Sequence, residues 1–487
     1  MYFLNHTFKA LAALVLALMP AFAFADFNVR DYGAKGDGKT LDSPAIDKAI
    51  EACVKQGGGK VVLPAGTYLS GSIHMKSNVE LHLQSGCVIL AAPQSMGAYD
   101  KSETFGFPEY QDGGHTYFHN SLIWAEGQEN ISITGHGMID GLGLTKKDTE
   151  KGGNVQGGSI GAGDKAIAFK QCKNILIRDV TIYRGGHFAI IVTGCERGTI
   201  DNVTIDTNRD GIDIDCCKYI TLTNCKVNTP NDDAIVLKSS YALKRAVPCE
   251  HILVTNCIVT GYKLGTFLDG TYVPEKVNWV CGRIKLGTES NGGYRDITIS
   301  NCTCMYSSGL AFEEVDQGLM DNIVVTNIAL NHVHHYPIYI TTGCRNRGPK
   351  EVTEPSRGQN IMISNVQALD CDSLAGIIIT GMENAPLKNI SLSNIFVEYR
   401  GGGTADMAQK KYREQGTNYP EPRWAGPTPS YGLFARHIDG LKLRDITFAL
   451  KKDDGRPAVM LENVKNLDMK DVKDAKGEFV KKDSKNI

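Results

Sequence analysis

One phrase recurs along this chain, and it restricts the fold more than any other feature. The phrase is Asn or another polar residue, Ile, polar, Ile/Val/Leu, polar, Asn or Asp, then an apolar residue or Cys. It appears at Asn130–Gly135, Asn174–Asp179, Thr199–Ile205, Tyr219–Cys225, His251–Cys257, Asp296–Cys302, Asn322–Asn327, Asn360–Val366 and Asn389–Ile395. Weaker copies follow at Leu441–Ile446 and Asn466–Val472. Start-to-start gaps run from roughly 20 to 50 residues, the range of solenoid repeats. Period-2 alternation puts one face inward and the other outward. No single copy can bury its own apolar face, so the copies must stack and share a continuous core. The Asn that closes each copy suits a turn, because Asn tolerates left-handed backbone, and in stacked coils such side chains can form ladders. The expectation is an all-β chain, a right-handed parallel β-helix. A propeller would need antiparallel blades and a blade motif that the chain lacks.

The segment Asp42–Val54 breaks the pattern and reads as an amphipathic helix. Ser43 is placed to cap it, Pro44 to occupy its first turn, and Ala45, Ile46, Ala49, Ile50 and Cys53 to form its apolar face. Gly57–Gly59 ends it. Lying before the first coil, this short N-terminal helix would cap the open end of the solenoid and hide its strand edges. Ahead of it, Lys9, the apolar run Ala10–Met19, Pro20 and the small-residue pattern Ala23-Phe24-Ala25 read as a cleavable signal peptide over residues 1–25, with secretion or periplasmic export expected. The run is too short to span a bilayer comfortably. No linker divides the rest, so residues 26–487 are read as a single β-helix domain, with 26–75 as its N-terminal cap region. Segments Met96–His119, Leu142–Asp164 and Arg400–Tyr431 lack the phrase and read as long loops walling a groove.

The formal charge of −2 gives no basis for a nucleic-acid partner. A soluble monomer, with neither membrane nor nucleic acid as partner, is expected. The 14 cysteines permit disulfides in an exported chain. Yet Cys225, Cys257 and Cys302 each follow Asn at one phase of the repeat, which favours buried, stacked thiols. Cys216-Cys217 lacks the spacing and His neighbours of a metal site. No metal or cofactor is expected.

Chemistry concentrates in three blocks: Asn208-Arg209-Asp210-Gly211, Asn231-Asp232-Asp233 and Arg283-Ile284-Lys285. With Ile212 and Ile214 inward, Asp213 and Asp215 point outward. Asp210 should sit at a bend before that strand, since a free carboxylate in an apolar core is too costly. Asp232 and Asp233 should occupy the bend before inward Ile235 and Leu237. Arg283 and Lys285 flank inward Ile284, so both project outward. Alone, Asp-Asp at a turn or Arg-x-Lys on a strand is an ordinary solvated feature. On stacked coils about 4.8 Å apart the five side chains should cluster. Crowded carboxylates cannot all ionise, so one should be held protonated. Carboxylates can supply acid and base for glycoside cleavage, and the cations can hold an acidic sugar.

These three blocks resemble the signatures of the polygalacturonases, glycoside hydrolase family 28. Asn28–Gly38 and Pro64–Tyr68 are similar to the N-terminal cap of pectin-active β-helix proteins. The resemblance covers nearly the whole mature chain. It implies a right-handed β-helix that hydrolyses galacturonic-acid-containing bonds of pectic poly- or oligosaccharide with inversion. It also implies Asp232 as general acid, Asp210 and Asp233 as activators of water, and Arg283 and Lys285 as ligands of the substrate carboxylate. An inverting pair stands roughly 6.5–9.5 Å apart to admit water. Two departures point away from plain endo-cleavage of homogalacturonan to a different galacturonide or a rhamnogalacturonan-type linkage, and long loops closing the groove into a pocket would favour an exo-acting galacturonidase. The family's Gly-His-Gly is replaced by Gly261–Phe267, without His, and a Tyr that follows the third block in many members is replaced near Asp316. His187, one coil before Asp210, is a further candidate substrate ligand, and His437 a remote one. Two other readings stand beside this one. The first is a calcium-dependent pectate-lyase-like enzyme with Asp213 and Asp215 as ligands. The second is a non-catalytic carbohydrate-binding β-helix.

Overall fold

The computed structural model describes residues 26–103, 110, 113–144, 164–276 and 280–480. The expected signal peptide lies outside the described residues, as does most of Leu142–Asp164. No helix among the described residues is long and apolar enough to cross a membrane.

The chain winds into a right-handed parallel β-helix. Strands stack in register from one coil to the next, as in Phe188–Thr193 on Asp210–Asp215 and Asp210–Asp215 on Ile235–Ser239. Ile235–Ser239 then lies on Ile284–Ser290, and that strand on Ser308–Glu314. This sheet carries all three chemical blocks. A second column runs through Glu196–Asp201, Lys218–Thr223 and Cys249–Thr255, and a third through Thr204–Asp206, Lys226–Asn228 and Ile258–Thr260. From Tyr294 onward the second and third columns merge into long bent strands such as Tyr294–Met305 and Leu319–Asn331.

The recurring phrase does what its period demands. Ile175, Ile177, Ile220, Leu222, Ile252, Val254, Ile297 and Ile299 all point into one buried apolar column. The polar positions that begin and end each copy take left-handed backbone: Asn174 and Asn322 at the start, Asn224, Asn256, Asn301, Asn327, Asn365 and Asn394 at the end. Asn tolerates this conformation because its short amide bonds locally. Their side chains form ladders, with Asn327 donating to Asn301 at 3.0 Å, Asn365 to Asn327 at 3.1 Å and Asn394 to Asn365 at 2.8 Å. All fourteen thiols are free, and Cys225, Cys257 and Cys302 are buried, as the stacking reading requires.

The helix forms at Ser43–Lys55 and buries Ile46, Ala49, Ile50 and Cys53 against the first coils. Its cap differs from the expectation. Ser43 is the first helical residue, and its hydroxyl accepts a hydrogen bond from Gly71 N. Asp42 holds the cap position without capping, because its carboxylate is taken by Lys35 N at 2.7 Å and Gly36 N at 2.9 Å.

Candidate active site

The outer wall of the sheet built on Asp210–Asp215 gathers the three blocks. Gly211 N donates to Asp233 O at 2.9 Å and Ala234 N to Arg283 O at 3.0 Å, so backbone pairing locks the blocks side by side. Asp232 and Asp233 occupy the bend before Ile235–Ser239, as expected. Asp210 is the first residue of its strand rather than a bend residue before it, paired with Phe188. It escapes the apolar interior because the outer face of the sheet is roofed by polar groups.

Asp233 is the hub. Arg283 Nε donates to its Oδ1 at 2.5 Å, and Lys285 Nζ lies 3.2 Å from its Oδ2. Burial would raise the carboxyl, but these two cations hold it well below the usual range. Asp210 is pushed well above that range, first by burial and then by the charge of Asp232. Asp232 alone of the three keeps solvent access, with its side chain 29% exposed and Arg209 Nε 3.5 Å away. Among the crowded carboxylates the raised one is Asp210 and the lowered one Asp233, whereas the resemblance gives the acid role to Asp232.

Arg283 and Lys285 are both 2% exposed. Arg283 also donates to Tyr336 Oη at 2.5 Å and to Glu421 Oε2 at 3.4 Å. Glu421 comes from Arg400–Tyr431, so that expected loop does wall the site. Tyr419, on the same loop, sets its ring centroid 5.9 Å from Lys285 Nζ. Lys285 further meets Glu313 Oε2 at 3.4 Å, and burial pushes the Glu313 carboxyl up to about 7.

Asp213 and Asp215 point away from the core, as read, yet neither reaches solvent. Asp213 faces Lys238 Nζ at 3.1 Å, while Asp215 accepts from Ser240 N at 2.8 Å and Ser240 Oγ at 2.6 Å. Ser240 takes the Asp215 oxygens and Lys238 sets a cation against Asp213, so a calcium ion held by this pair would have to displace both partners. Asp232, Asp233 and Cys281 do bring ligand atoms within 4.8 Å of one another. A metal ion there would face Arg283 and Lys285, already bound to Asp233, so the donor set does not fit one.

His187 is buried one position before Phe188, with its ring against Phe188 and Gly114. His437 pairs with Asn463 of the following coil at 2.8 Å and lies 3.7 Å from Glu414 on the Arg400–Tyr431 loop. Tyr262 and Phe267 of the stretch Gly261–Phe267 cluster with Tyr272 and Tyr306. Asp316 is buried and paired with Arg345.

Sequence reasoning passed over several participants. Lys238 stands between Asp210, Asp213 and Glu289, and Glu289 in turn meets Arg345 at 3.5 Å. The outward phase of Lys238, two residues after outward Val236, was the available signal. Glu313 shares the wall through strand pairing, and Glu421 and Tyr419 arrive on a loop whose path no local pattern records.

A family model described as rhamnogalacturonase A/epimerase, pectate lyase-like, matches residues 26–261. An exopolygalacturonase of Platanus acerifolia is 26% identical over 394 residues, covering 77% of this chain and 91% of that protein. An endo-polygalacturonase of Pectobacterium carotovorum subsp. carotovorum is 25% identical over 391 residues, covering 74% of this chain and 86% of its own. The solved family 28 exopolygalacturonase of Yersinia enterocolitica superposes with a TM-score of 0.64 at 19% identity, covering 91% of this chain and 78% of the other, and shares the fold. These relatives identify the chain as a glycoside hydrolase, and the carboxylates and cations crowded on the outer wall supply groups such chemistry needs. The chain is similar to polygalacturonases over about three quarters of its length, and its N-terminal portion matches the pectate lyase-like family model.

Proposed function

We propose that the protein hydrolyses galacturonic-acid-containing glycosidic bonds of pectic oligo- or polysaccharide by single-displacement inversion, acting from a chain end. The observation that carries this reading is the division of labour among three neighbouring carboxylates. Asp232 keeps solvent access, Asp233 is neutralised by two cations, and Asp210 is buried beside them. In this reading Asp232 protonates the leaving oxygen, and Asp210 takes the proton of the attacking water, with Asp233 orienting it. Asp232 and Asp233 have oxygens within 4.8 Å, too close for a water-filled gap of roughly 6.5–9.5 Å between acid and base. The diagonal pair Asp232 and Asp210 on adjacent coils is the better acid–base couple.

Arg283 and Lys285 receive the carboxylate of the reacting sugar. Glu421 now occupies Arg283, so binding exchanges one carboxylate for another and moves Arg400–Tyr431. A loop seated on the cations supports a closed pocket and hence exo-action. A rhamnogalacturonan-type linkage is the second reading, favoured by the aromatic cluster around Tyr262 where the family carries a His.

Defined oligogalacturonides and rhamnogalacturonan fragments, with product anomer and chain position followed by NMR, test all three points. Inverted, saturated monomers or dimers are expected, and activity should survive EDTA. Retained anomers would replace single by double displacement, and random internal cuts would end the exo reading. Asp232→Asn should lower kcat by about 10²–10⁴ without unfolding the chain, and full activity in that variant would overturn the acid assignment.

A further inference from the structure

Lys238 is a cation buried among acids, at the centre of the wall and outside the three motif blocks. Its Nζ lies 3.1 Å from Asp210 Oδ2, 3.1 Å from Asp213 Oδ2 and 3.7 Å from Glu289 Oε2. His115 Nε2, from the turn Gly113–His115, is 3.2 Å away, and the Phe188 ring centroid 5.2 Å away. Every neighbouring element therefore presents a group to it. The strand Asp210–Asp215 offers Asp210, Asp213 and, beside it in register, Asp215. The strand Ile284–Ser290 offers Glu289, itself tied to Arg345, and Asp233 stands nearby at the bend.

This arrangement answers a difficulty in the proposed reaction. A base must be ionised before water arrives, yet Asp210 is sealed from solvent beside the charges of Asp232 and Asp233, and both effects favour its protonated form. Arg283 and Lys285 are committed to Asp233. Among the described residues, the cation that contacts Asp210 is Lys238. We infer that Lys238 is a positioning residue that opposes burial and the neighbouring acids, drawing Asp210 toward its ionised form and aiming it at the water, while Asp213 competes for the same ammonium and sets how much of its charge Asp210 receives. Lys238 need not touch substrate. Sharing the ammonium between two carboxylates makes the base tunable: weakening the Lys238–Asp213 contact strengthens the Lys238–Asp210 contact.

The inference rests on Asp210 as base, and the test separates the two. Lys238→Met keeps the length of the side chain and removes the charge. It should lower kcat about 10²-fold or more, the usual contribution of a general base, with KM within about threefold of the parent. The acid limb of its kcat/KM profile should move to higher pH by about one to three units, the effect of losing an opposite charge at this distance. Asp213→Asn should move the limb the other way, since it frees Lys238 for Asp210 and removes a like charge. Asp213→Asn retains every cation on the wall, so it keeps the inference testable if Lys238→Met fails to fold. Circular dichroism confirms folding in each variant. A limb unmoved by Asp213→Asn, or a Lys238→Met enzyme that changes KM alone, overturns the role of Lys238. Asp210→Asn with full activity instead overturns the assignment of Asp210 as base.

Discussion

Glu313 offers a sharp test of the electrostatics of this wall. It lies on Ser308–Glu314, the strand paired with that of Lys285, and is fully buried. Among the described residues neither carboxylate oxygen has a hydrogen-bond partner, and Lys285 Nζ at 3.4 Å is its ion-pair contact. Lys285 is also engaged by Asp233, so its charge is divided. Burial outweighs Lys285 and Arg283 and pushes the Glu313 carboxyl up from 4.5 to about 7. A raised carboxyl means that the folded chain binds more protons than the unfolded one between these two values. Its stabilising contribution is full below about pH 4 and is lost as pH rises through about 7. A rise of roughly 2.5 units corresponds to about 3 kcal/mol. For a chain of this length the unfolding entropy is about 1 kcal/mol/K, so the loss is worth roughly 3 °C in melting temperature. Glu313→Gln carries no charge to bury and should flatten that part of the profile. Thermal melts followed by circular dichroism from pH 4 to pH 8 read this directly. The variant should match the parent near pH 4 and melt about 3 °C higher at pH 8. If Glu313→Gln is the less stable protein at pH 8, Glu313 is an ionised partner that Lys285 needs, and the reasoning from burial fails.

Two further perturbations probe the loop and the scaffold. Glu421→Gln removes the carboxylate that now occupies Arg283, and KM should fall about threefold or more, equivalent to roughly 0.7 kcal/mol; an unchanged or higher KM would show that Glu421 does not compete with substrate. Asn327→Ala places alanine at φ 57° and breaks the bonds to Asn301 and from Asn365. Strain and two lost bonds together should cost about 2–3 kcal/mol in chemical denaturation. Asn327→Gly, free of the strain, should cost less, and equal losses would show that backbone conformation contributes nothing at that corner.

Much of this architecture was legible because one rule repeats. An inward Ile or Val every second residue, with Asn at each corner, specifies strand, turn and stacking together. Once coils stack, Asp210, Asp233, Arg283 and Lys285 must share a wall, and their contacts follow. Two kinds of information were not local. The roof is one: Asp213 and Asp215 point outward but are covered, because Lys238 and Ser240 on the next coil reach back over them. Loops are the other. Glu421 is 138 residues from Arg283 in the chain, and no periodicity announces their meeting. The misplaced helix cap has the same origin, since Asp42 gave its carboxylate to the turn at Lys35 and Gly36 instead of to the helix.

The asparagine ladders carry a consequence for how such a molecule can vary. Each rung repeats the geometry of the one before, so a whole turn added or removed outside Phe188–Glu314 would re-form its hydrogen bonds at the splice. The three acids and the cations Lys238, Arg283 and Lys285 all come from consecutive rungs within that interval and would keep their mutual geometry, provided the loops that bring His115, Tyr419 and Glu421 to them are retained. Length is thereby separated from chemistry: the spindle can grow or shrink by complete windings, while a shift of a single residue inside those rungs would turn Asp210 or Lys285 from the wall into the hydrocarbon interior.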